Sequence, residues 1–108
     1  SASTKLYQDH QATYTNLVLL IMSELKSLFG DPGFGTGIKQ LIYEQNNAVL
    51  RDIATDKLYV AIQTFMPQIL IKRSDIEMIS DGTTLTIYIS CINLLDMQPD
   101  TYSIQLMS

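Results

Sequence analysis

The sequence predicts an α+β domain: about three helices (long, short and long again) followed by a small three-stranded antiparallel β-meander. Three observations carry this expectation. Apolar residues recur at helical spacing over 14–29 and 48–66. A glycine-rich joint separates those two runs. From residue 69 onward the period drops to two, around an Asp81-Gly82 turn signal.

In the first helix, Leu17, Leu20, Ile21, Leu25 and Leu28 share one face. Val18, Leu19, Met22 and Phe29 widen the apolar surface beyond what a surface helix needs, so either the helix is nearly surrounded within its own domain or, the reading preferred here, its second face meets another protein. Residues 1–13 are polar and mixed and read as an N-terminal tail or arm; residues 14–108 read as a single domain. Thr15 or Asn16 can cap the helix start, and Gly30 followed by Pro32 ends it.

The joint runs from Gly30 to Glu44, and Gly30, Pro32, Phe34, Gly35 and Gly37 read as a structural turn. It is not a phosphate loop, because Gly37 is followed by Ile38 rather than Lys and a helix precedes it. Thr36 is expected to cap a short helix with Ile38, Leu41 and Ile42 on one face. Asn46 and Asn47 can cap the third helix. Its expected buried side is Leu50, Ile53, Ala54, Leu58, Ala61, Ile62 and Phe65, with Arg51 and Tyr59 facing outward. Pro67 stops it.

A two-residue turn at Asp81-Gly82 pairs Ser80 with Thr83, Met78 with Leu85 and Ile76 with Ile87. Leu85, Ile87, Ile89 and Cys91 alternate with polar residues, as a half-buried strand requires. Ile69 and Ile71 have the opposite parity to Ile76 and Met78, which predicts a bulge or bend near Lys72–Asp75. After a turn around Asp96–Asp100, a last short strand is expected to carry Tyr102, Ile104 and Leu106. At a sheet edge, such a strand is a template for a strand from another chain.

Composition narrows the function. The 108 residues carry a net charge of −4 and only 17% charged residues, a low charge content that fits either a surface covered in part by partners or a small protein with a generous core. Lys72-Arg73 is the sole adjacent basic pair, which argues against nucleic-acid binding. Cys91 is the only cysteine, so no internal disulfide or cysteine-based zinc site can form. No apolar run approaches membrane-spanning length and no signal-peptide pattern is present, so synthesis and assembly in the cytoplasm are expected. Catalysis finds no support. His10 lies in the polar stretch with no Asp or Ser placed to make a triad and reads as a surface residue, and Glu24, Glu44 and Asp52 have no spacing that selects a glycosidase pair. Asp96 and Asp100 flank a turn without making an oxygen cage, and no cofactor or metal is expected.

Two motifs and their order carry a resemblance. Phe34-Gly35, Gly37-Ile38 and Leu41-Ile42-Tyr43-Glu44 come first, followed by Ala61-Ile62 and Phe65-Met66-Pro67-Gln68-Ile69 before the hairpin. Over roughly residues 14–108 the chain resembles the baseplate-wedge, or sheath-initiator, proteins of contractile phage tails and related injection machines, including type VI secretion systems. The resemblance implies a non-enzymatic virion component of the tail baseplate, assembled in the host cytoplasm. Its implied partners are other wedge proteins, the tail sheath protein and the tail tube, with no nucleic acid and no membrane. It implies wedge docking through Phe65, Met66, Pro67 and Gln68. It also implies sheath-strand pairing through Thr101, Tyr102, Ser103, Ile104, Gln105, Leu106 and Met107. The family's Glu-Pro-Arg core is Met66-Pro67-Gln68 here, so its charge-assisted contact does not transfer. Two alternatives stay open: a regulatory adaptor similar to a bacterial anti-adaptor, and a lysozyme-like hydrolase.

Overall fold

A computed structural model of the chain describes residues 2–43 and 48–107, with side chains described from His10 onward. Helices α1 (Ala2–Phe29), α2 (Phe34–Tyr43) and α3 (Ala48–Phe65) precede strands β1 (Ile69–Leu70), β2 (Ile76–Asp81), β3 (Thr84–Asn93) and β4 (Gln98–Met107). The fold is α+β, three helices followed by an antiparallel sheet. The helices cover one face of the sheet. At 1.5 Å per residue α1 is about 42 Å long, close to the 46 Å long dimension of the molecule.

α1 begins at Ala2, so 2–13 is helical rather than a loose tail. The stretch has no Gly or Pro to break a helix, and Ala, Gln, Lys and Leu, which favour helix, make up half of it. Within it Thr13 is buried on the same face as Leu17, Ile21 and Leu25. Thr15 and Asn16 therefore lie inside the helix and cap nothing at its start. Gly30 ends the helix as expected, with a φ of 77° and its N–H donating to the Lys26 carbonyl at 2.8 Å.

The short helix starts at Phe34, so Thr36 is an interior residue and not its cap. Its first bond runs from the Gly37 N–H to the Gly33 carbonyl at 2.9 Å. Gly37 is needed for space. A β-carbon there would overlap the Phe29 ring, which the turn folds back onto α2. Glu44, Asn46 and Asn47 lie outside the described residues, so the capping expected of the two asparagines does too.

α3 buries Ala54, Leu58, Ala61 and Ile62, with Leu50 partly buried. Ile53 and Phe65, expected in the core, are instead exposed, while Arg51 and Tyr59, expected outside, turn inward. A helix flanked by another helix on one side and a sheet on the other presents a tilted buried stripe, which single-face spacing does not locate.

β3 is the central strand. β4 pairs with all of it, from Thr84↔Met107 to Asn93↔Gln98, while β2 and the short β1 share its other side end to end. The parity change is made by a 3-10 turn, Arg73–Asp75, that interrupts what would be one strand. The hairpin register is two residues from the expected one: Asp81 pairs with Thr84, Met78 with Ile87 and Ile76 with Ile89. The turn is Gly82-Thr83, with a left-handed φ of 61° at Gly82 and none at Thr83, the pattern of a type II′ turn. A slip of two preserves both faces, so Leu85, Ile87, Ile89 and Cys91 are core as the alternation requires. β4 begins at Gln98, three residues before the expected Thr101, because Pro99 is tolerated in an edge strand.

Candidate interaction surfaces

The direction of each backbone group on β4 follows from the hairpin. Asp81 and Thr84 close a two-residue turn and exchange both hydrogen bonds, so even-numbered residues of β3 point their N–H and C=O toward β2. Odd-numbered β3 residues then point toward β4 and bond with Gln98, Asp100, Tyr102, Ile104 and Leu106. Pro99, Thr101, Ser103, Gln105 and Met107 therefore turn their backbone groups away from the sheet. β4 pairs with β3 alone among the described residues, so this edge is open. Of the seven predicted pairing residues, Tyr102, Ile104 and Leu106 are buried core side chains, and the other four are exposed. No residue from Thr101 to Met107 is charged. Exposed edges are usually blunted with charge, especially Lys, and this one is not.

Tyr102 anchors the strand from inside. Its ring stacks on Tyr14 of α1 with centroids 6.4 Å apart, and its hydroxyl accepts a hydrogen bond from Asn93 Nδ2 at 3.1 Å. Burial pushes its phenol up to about 12, and burial likewise pushes the neighbouring Cys91 thiol up to about 11. Cys91 is a buried side chain on the core face, matching its sequence reading as a small hydrophobe.

The four predicted docking residues do not form one surface. Met66 is 2% exposed and belongs to the core, so it offers nothing to a partner. Pro67 is exposed. Gln68 is half-buried; its carbonyl accepts the Leu94 N–H at 2.9 Å, and it lines a cavity of about 230 Å³ with Thr13, Asn16 and Asn93. Phe65, 66% exposed, stands at a separate groove of about 430 Å³ between α1 and α3, where Ile53, Val60 and Ala61 make the apolar wall. Sequence reasoning missed Ile53 and Val60. Their spacing of seven was the available signal, hidden because Ile53 was assigned to the core face and Val60 to no face.

The remaining candidates are accounted for by ion pairs. Glu24 pairs with Lys57 at 3.3 Å across the α1–α3 groove. Asp52 and Asp56 hold Arg73, whose guanidinium pKa is raised, chiefly by its hydrogen bond with Asp56. His10, expected to be an isolated surface residue, lies with Nε2 3.5 Å from Asp96 and Nδ1 3.6 Å from Asp100. The two carboxylates lie on opposite sides of the ring, beyond hydrogen-bonding distance, so the three groups do not converge on one metal position. Among the described residues no cluster of three or more His, Cys, Asp or Glu is placed to hold a metal ion, and no helix is long and apolar enough to cross a membrane.

No family model, curated protein or solved structure matches the chain. The likeness to the baseplate-wedge family is carried by the motifs alone.

Proposed function

We propose that this chain is a structural, non-enzymatic component of a contractile-tail baseplate wedge, and that it nucleates the sheath by accepting a strand from the sheath protein at β4. The observation that carries this reading is the unpaired, uncharged edge of β4, at the place where the motif resemblance puts strand exchange. Strand addition gains affinity from main-chain hydrogen bonds, and β4 offers those groups on an ordered scaffold whose inner side is already packed. Contact with other wedge proteins falls to Phe65 and Pro67, with Ile53 and Val60 extending the apolar surface beside Phe65.

Deleting β4 is not a usable test, because Tyr102, Ile104 and Leu106 are core. The test is sheath polymerisation seeded with the intact protein and followed by light scattering and electron microscopy. A shortened lag, with the protein found at one end of each sheath, is the expected result. An unchanged lag with no co-sedimentation would sink the proposal. Binding to a response-regulator receiver domain without any sheath interaction would instead favour the adaptor.

A further inference from the structure

The open edge is not open along its whole length. Pro99 turns outward and has no N–H to offer. The next outward donor, the Thr101 N–H, is already engaged by the Asp100 carboxylate at 3.0 Å. The other oxygen of that carboxylate faces Nδ1 of His10 at 3.6 Å, so α1 helps hold it in place. The first free outward donor is therefore at Ser103, followed by Gln105 and Met107.

We infer that Pro99 and Asp100 form a register stop, so that an incoming strand pairs with Ser103–Met107 alone and ends short of Thr101. This rests on the strand-accepting role proposed above and specifies the strand it accepts. At 3.4 Å per residue the available stretch is about 17 Å, room for about five residues. Alternation fixes its chemistry. Residues facing the helices adjoin Ile104 and Leu106 and approach the α1 row that starts with Tyr14 stacked on Tyr102 and continues, at i+4 spacing, with half-buried Val18 and Met22. Those positions take apolar side chains. The alternate positions lie beside Ser103 and Gln105 on the solvent face and take polar ones. The occupant is thus a short extended arm, alternately apolar and polar, uncharged on its inner side. A second copy of this chain fits less well, because two folded domains joined over five residues per strand bury little surface against what a stable dimer needs.

Two measurements separate this inference from the function on which it rests. In the protein alone, amide exchange at Thr101 should be roughly tenfold slower than at Ser103 and Gln105, and Asp100→Ala should abolish the difference. Equal exchange at the three positions overturns the stop whatever the partner is. With the tail sheath protein as probe, Ser103→Pro and Gln105→Pro should each weaken binding roughly tenfold or more, since each removes an outward donor while leaving the β3–β4 ladder intact. Thr101→Pro should bind within about twofold of the unsubstituted chain, its donor being already taken. Equal loss in all three variants, or in none, overturns the stop. The expected exchange pattern with no sheath binding by the unsubstituted protein overturns the proposed function and leaves the stop standing. Oligomers of this chain that Ser103→Pro dissolves overturn the choice of occupant.

Discussion

At the β2 edge of the sheet, two outward backbone groups find partners within the chain. The Arg51 guanidinium donates to the Met78 carbonyl at 2.9 Å, and its other terminal nitrogen reaches the Leu41 carbonyl at 2.9 Å and Ser80 Oγ at 3.1 Å. The Ile76 N–H, at the start of the same strand, donates to the Arg73 carbonyl. At the β4 edge the equivalent groups of Ser103, Gln105 and Met107 meet nothing among the described residues. One edge is guarded in part by a half-buried cation from α3, and the other is left uncharged and unpaired beyond Asp100. The difference teaches that openness at β4 is a local property of its sequence and not a limit of the fold.

The comparison can be broken or sharpened by substitution. The largest effect is expected from Ile104→Ala, which should cost about 3–4 kcal/mol in urea denaturation, because its side chain is core although its strand is an edge. A cost below 1 kcal/mol would mean that β4 is loosely held, and an edge that is not ordered is no template. Arg51→Ala should cost about 2–3 kcal/mol by the same measurement, since it strips three acceptors of a charged donor. Arg51→Lys should recover only part of it, because one ammonium cannot span the fork.

A third, smaller effect is alkaline. Cys91 and Tyr102 both hold their protons more tightly when folded, toward about 11 and about 12. The stability this represents is fully present below the unfolded values of about 9 and 10 and is lost as pH rises through the folded ones. Thermal melts should therefore fall between pH 9 and 12, and Cys91→Ala should flatten the first part of the fall. The smallest change is expected from Gln105→Lys, within about 0.5 kcal/mol of the unsubstituted stability because the side chain is exposed. The same variant should lose sheath binding, as edge lysines block strand addition. Normal binding by it would erase the functional contrast between the two edges.

Much of the fold was legible because local signals agreed. Gly30 ends α1, Pro67 ends the helical part of the chain, and the parity clash between Ile71 and Ile76 located the break at Arg73–Asp75. The hairpin was found but misregistered by two, since Asp81-Gly82 fits a type I′ turn and only the backbone shows Gly82 taking the first central place. The helix over 2–13 was missed because polar residues continue its inner face: Thr13 is buried and His10 half-buried, and neither looks apolar. The open edge was anticipated from the terminal strand. Its stop was not, because Pro99 and Asp100 read as turn residues until they pair with β3. Arg51 was illegible for a different reason. Its acceptors lie 10, 27 and 29 residues away, and no local pattern encodes such a contact.

The 3-10 turn at Arg73–Asp75 has a consequence for which lengths this chain can tolerate. Ile71 and Ile76 both face the core with an odd offset between them, so the turn works as a phase shifter. An unbroken strand continuing from Ile71 would carry Arg73, Asp75 and Glu77 inward, three charges in place of isoleucine and methionine. With the turn retained, adding or removing one residue between Lys72 and Asp75 would invert the phase of everything it now aligns. A change of two would leave the phase intact. Variation in this stretch is therefore expected in steps of two, and the hairpin beyond it inherits its frame from a turn that contributes no side chain to the core.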